Sequence, residues 1–98
     1  MKKEDKENIQ AALDHLCAAV RETRNLGIDE YNSILELRLI ERTEEETNKF
    51  GKYFPVGKYV RPIWSNNPER NDGYYDIYVE GDNCMGVLCD VWNFLRRY

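Results

Sequence analysis

Aromatic residues are confined almost entirely to the second half of this chain, and that asymmetry restricts what it can fold into. Of twelve aromatics, only Tyr31 precedes residue 50. Residues 1–50 instead carry 12 acidic and 8 basic side chains, whereas residues 51–98 carry six of each. Charged, aliphatic sequence favours helix, and aromatic, β-branched, turn-rich sequence favours sheet. The chain therefore reads as α structure followed by β structure and a closing helix. With 98 residues and no repeat or low-complexity tract, it makes one domain, residues 1–98.

Helical spacing is plain at the start. Ile9, Leu13, Leu16 and Val20, with Ala12 and Cys17 beside them, form one apolar stripe. Acidic early turns and arginines near the end complement the helix dipole. This predicts a helix over about 4–25, stopped at Asn25-Leu26-Gly27-Ile28 with Gly27 at the C′ position.

Residues 29–49 support two readings. Asp29 is a good N-cap, Ile28, Tyr31, Ile34, Leu35 and Leu39 share a helical face, and Arg42–Glu46 and Glu45–Lys49 stand at i, i+4. Against this, Leu35, Leu37 and Leu39 alternate with Glu36 and Arg38, the period of a half-buried strand. The helix leaves Leu37 and Ile40 off its face; the strand leaves Ile34 and Ile40 on the wrong side. Helix is the preferred assignment here, with a third strand at about 34–42 as the alternative.

The later segments are clearer. Lys58–Trp64 and Tyr74–Glu80 are rich in β-branched and aromatic residues, and the polar stretch Ser65–Gly73 joins them, which predicts a hairpin of 58–64 with 74–80. Pro62 cannot donate to a ladder, so its strand is expected at a sheet edge or bulged. Any strand at 34–42 is then expected beside 74–80. Asp82 or Asn83 caps a last helix over about 83–96, with Met85, Leu88, Val91, Trp92 and Leu95 as its inner face and Arg96 and Arg97 at its end. The fold class is α+β: a small antiparallel sheet with both helices packed on one face. Ile63, Ile77, Val79 and Trp92 are its expected common core.

No chemistry-bearing constellation emerges. Gly81 and Gly86 have the spacing of a phosphate-binding loop, but Val87 and Leu88 replace the Lys and Ser/Thr that such a loop needs. Cys84 near a helix N-terminus is a candidate reactive thiol, with His15 as the one distant base. His15 and Cys17 point to different sides of a helix, and no CxxC exists, so no metal site is expected. No cofactor is implied. Catalytic residues are not assigned, and the chain is read as non-enzymatic.

Net charge is −4, which disfavours direct binding of nucleic acid or anionic membrane. No run approaches the ~18–20 apolar residues of a membrane span. Glu4, Asp5 and Glu7 stand where a leader would need apolar residues, and three cysteines match no disulfide framework. A cytoplasmic location follows as the expectation. Aromatics and cations interleave over residues 50–70, which marks Phe50, Tyr53, Phe54, Tyr59, Arg61, Trp64 and Arg70 as a candidate interaction surface. A protein partner, or a second copy in a homo-oligomer, is the leading expectation. The run Glu41–Glu46 supports a second one, an acidic inhibitor or accessory protein that meets a basic nucleic-acid-handling partner. A thiol-dependent enzyme built on Cys84 is the third.

Overall fold

The apolar stripe of the first helix forms as its spacing demands. In the computed structural model, which describes residues 2–22, 34–64, 72–73, 75–81 and 83–95, α1 spans Lys3–Glu22 and buries Ile9, Leu13, Cys17 and Val20. Leu16 packs at the margin of the same core. The stop expected at Asn25–Ile28 and the cap at Asp29 lie outside the described residues.

Residues 34–42 are strand, which corrects the helical assignment. β1 (Ile34–Arg42) pairs antiparallel with β4 (Gly57–Trp64), from Ile34 opposite Trp64 to Arg42 opposite Gly57. The register shifts by one residue between Ile34 and Glu36. This bulge answers the objection to a strand: one extra residue returns Ile34 to the face that holds Leu37, and both are fully buried. Leu35, the extra residue, is left half exposed. Tertiary pairing overrides the helix-forming tendency of Leu, Glu and Arg.

Strand order in the main sheet is β1-β4-β5, with β5 at Ile77–Val79. The strand that carries Pro62 is therefore central, contrary to the expectation of an edge, and β1 lies beside it instead of beside β5. The reason is local. β5 pairs only with Lys58–Val60, so Pro62 sits beyond the end of that ladder and no N–H is required of it there. Opposite Leu37, it occupies a pair that exchanges no N–H···O bonds. The hairpin expected over 58–64 and 74–80 is thus present but short, and of its connection, residues 65–76, only 72–73 and 75–76 are described. A separate ribbon, β2 (Glu46–Thr47) with β3 (Tyr53–Phe54), follows β1.

α1 packs along β1, α2 (Cys84–Leu95) packs along β5, and the two helices touch. The core between them and the sheet holds Ile34, Leu37, Val60, Trp64, Ile77 and Val79 together with Val87, Val91 and Leu95. Two expected core members are misplaced: Ile63 is only half-buried and Trp92 is exposed, while Trp64 takes the interior place. Gln10 of α1 closes the outer edge of β1, its amide donating to the Leu37 carbonyl at 2.9 Å and accepting from the Leu39 N–H at 2.9 Å. One side chain thus imitates a neighbouring strand.

The strand-to-helix turn explains the two glycines. A Cβ on Gly81 would stand 2.6 Å from the Gly86 Cα, so the turn brings two backbones into direct contact. Asn83 caps α2 by accepting from the Gly86 N–H at 2.9 Å. Asp90 Oδ2 reaches back to accept from the N–H groups of Glu80 and Gly81. Arg96 and Arg97 lie outside the described residues.

Candidate interaction surface

The segment expected to supply an interaction surface is divided by the fold. Phe54, Tyr59 and Trp64 are buried, so they offer nothing to a partner. Phe50 and Tyr53 are exposed, at 70% and 53%. Arg61 is committed to Asp76, and Arg70 lies outside the described residues. The surplus of rings in 50–64 is smaller than composition implied, because the sheet's second face is itself covered.

That cover is built around Arg42. Its guanidinium lies over the rings of both Phe54 and Tyr59, 4.3 Å from each centroid. Arg42 Nη2 donates to Asp76 Oδ2 at 2.9 Å, and Nε faces Glu46 at 3.4 Å. Arg61 grips the same carboxylate from the other side, Nε to Oδ1 at 2.8 Å and Nη2 to Oδ2 at 3.0 Å. The Asp76 carboxylate is fully buried, and the Arg42 side chain is 7% exposed. Gly73, at φ +105°, lays bare backbone over both arginines, where a Cβ would stand 2.8 Å from Arg61 Nη2. Burial lifts the Tyr59 phenol above its ordinary pKa against the opposing pull of Arg42.

Two hollows flank this node. One of about 610 Å³ is bounded by Asp5, Glu41, Arg42, Thr43, Val56, Gly57 and Lys58. The other, about 380 Å³, gathers Glu41, Glu44, Glu46 and Asp72 around Arg42 and Arg61. Every cation in them is already bonded: both arginines to carboxylates, and Lys58 to the Gly81 carbonyl at 2.7 Å. Among the described residues no group of three or more His, Cys, Asp or Glu side chains converges as a metal would require. The acidic run does not form an ordered array either, since Glu46 faces Arg42 and Glu45 accepts from the Tyr53 hydroxyl. Arg42, Asp76 and Arg61 are best understood as the fastening that holds the ribbon to the sheet.

Cys84 is half-buried at the start of α2, and His15 is exposed on α1, off the stripe that faces the core. Cys17 is buried, and burial raises its thiol pKa. All three cysteines are free thiols.

The surface that sequence reading missed is on α2. Val87, Val91 and Leu95 form its fully buried face, with Cys84, Leu88 and Phe94 at the margins. Met85 and Trp92, expected inside, are 69% and 47% exposed. With exposed Cys89 they follow i, i+4, i+7 spacing, so a second apolar stripe runs along the helix beside core-packed Leu88. The exposed residues from the cap onward are Asn83, Met85, Cys89, Trp92 and Asn93, and none is charged. A 12-residue segment containing Asp90 as its single charged residue carried the signal, since a helix apolar on all sides has more than one face to cover.

No protein-family model, curated protein or solved structure matches this chain. Among the described residues no helix is long and apolar enough to cross a membrane.

Proposed function

We propose that this protein is a non-catalytic interaction module whose contact surface is the outer face of α2. One observation carries the reading: Met85 and Trp92 stand exposed on a helix whose core contact is already made by Val87, Val91 and Leu95. Large apolar side chains held at helical spacing on a rigid element, and left half or more exposed by the fold, mark a surface built for another apolar surface. Trp and its neighbours at such a site supply most of the contact energy. A net charge of −4 favours a protein surface over nucleic acid as the partner. Three free thiols suit work in a reducing compartment such as the cytoplasm.

Site-specific photocrosslinking tests this reading. A photoreactive amino acid at position 92 is expected to yield a discrete covalent adduct in cells, whereas the same group at exposed position 15 on α1 yields none. Absence of an adduct at 92, or equal labelling at both positions, contradicts the proposal.

A further inference from the structure

We infer that residues 43–56 form a strap that swings off the sheet as one unit while the rest of the fold stays closed, and that its opening uncovers Arg42 and Tyr59. The α2 surface plays no part in this movement. The path of the chain permits it. The strap leaves the sheet after Arg42 and rejoins it at Gly57, and these two residues are register partners at the end of the β1–β4 ladder. Chain that departs and returns at one paired position is a closed excursion. It can move without breaking a β1–β4 pair or shifting the register.

Burial favours the same movement. Phe54 is the one buried side chain of the strap; Asn48 and Pro55 are half-buried, and its other residues are exposed. The internal ribbon holds two residue pairs, Glu46 with Phe54 and Thr47 with Tyr53, and so short a ribbon is marginal without support. Segments that bury little apolar surface open at a small fraction of the global unfolding free energy. The two hollows that flank the node are bordered by Thr43 and Val56 on one side and by Thr43, Glu44 and Glu46 on the other. Both flanks of the strap therefore stand off the sheet.

Arg42 and Tyr59 hold the strap down. The Phe54 ring lies 4.3 Å from the Arg42 guanidinium and 6.1 Å from the Tyr59 ring centre, and the Tyr59 hydroxyl donates to the Pro55 carbonyl. Glu46, whose side chain is 63% exposed, reaches Arg42 Nε at only 3.4 Å, a pairing of small worth. Closure also has a cost. Arg42 Nη1 is buried without a hydrogen-bond partner, and a buried donor left so favours any state in which water reaches it.

Native-state hydrogen exchange of the full chain, read amide by amide, tests this movement. Asn48, Phe50, Gly51 and Lys52 each donate a backbone N–H within the strap. One common opening is expected to govern all four, with exchange roughly 100-fold or more faster than at the Ile40 amide in the β1–β4 ladder. Phe54→Leu is expected to raise all four by one shared factor of about ten. Leu13→Ala, in the core on the sheet's other face, or Ile9→Val should that chain not fold, is expected to speed Ile40 and leave the four unchanged. Nitration of Tyr59 by tetranitromethane reads the uncovering directly, since the residue is 1% exposed. Its rate is expected to rise with Phe54→Leu by the shared factor and to ignore the core variant. Strap amides that respond to Phe54→Leu one by one, or that follow the core variant as Ile40 does, overturn the inference. So does a Tyr59 that is nitrated only when the core unfolds.

Discussion

Asp76 holds two arginines inside the protein, and its removal is the most damaging single change the structure identifies. The carboxylate is fully buried and takes three charge-assisted hydrogen bonds. Asp76→Ala would leave Arg61 without its carboxylate and Arg42 with only the exposed Glu46, a loss that costs about 3–5 kcal/mol. Urea denaturation is expected to show that loss, whereas Glu46→Ala, at an exposed and longer contact, costs less than about 1 kcal/mol. Tyr59 predicts a pH effect. Its folded pKa is raised, so the protonated phenol stabilises the fold fully below the unfolded value near 10. That contribution is lost as pH rises through the folded value. Ultraviolet titration is expected to show a late-ionising tyrosine that Tyr59→Phe removes, together with loss of stability. Of this network only the Arg42–Glu46 pair was legible in the sequence; the rest was not, because Arg42, Arg61 and Asp76 come from three separate segments whose register no local pattern encodes.

Among the elements, α1 was readable because its four buried positions recur with one period and nothing else competes for them. β1 was not, because a bulge breaks the alternation that identifies a strand. Ile34 looked misplaced only while Leu35 was counted in the ladder. The central place of β4 was hidden by Pro62, whose consequence depends on where β5 ends. Gln10 sets the boundary between sheet and helix. Its two hydrogen bonds satisfy an N–H and a C=O on the open side of β1. Gln10→Ala is expected to destabilise the protein by about 1–3 kcal/mol. Hydrogen exchange should then show faster exchange at the Leu39 amide, while the amides of α2 keep their protection. Uniform acceleration across the protein would instead mean that Gln10 supports global stability alone.

For the molecule as a whole, the class, the two terminal helices and the hairpin were legible, and the proposed contact surface was not. The sequence places apolar residues almost all the way around α2, and one set of them must face out. Which set does so depends on how Asn83, Asp90 and the Gly81–Gly86 contact rotate the helix against β5, a fact of packing and not of pattern. That rotation buries Val87, Val91 and Leu95 and leaves Met85 and Trp92 to solvent. The decisive measurement is the unfolding free energy of a Met85→Glu variant, at the most exposed position of the stripe, taken at a protein concentration low enough for monomers. If the outer stripe exists for contact and not for folding, the variant is as stable as the parent to within about 0.5 kcal/mol. A loss of about 2 kcal/mol or more would show that the stripe belongs to the domain's own packing, and the proposed surface would not exist.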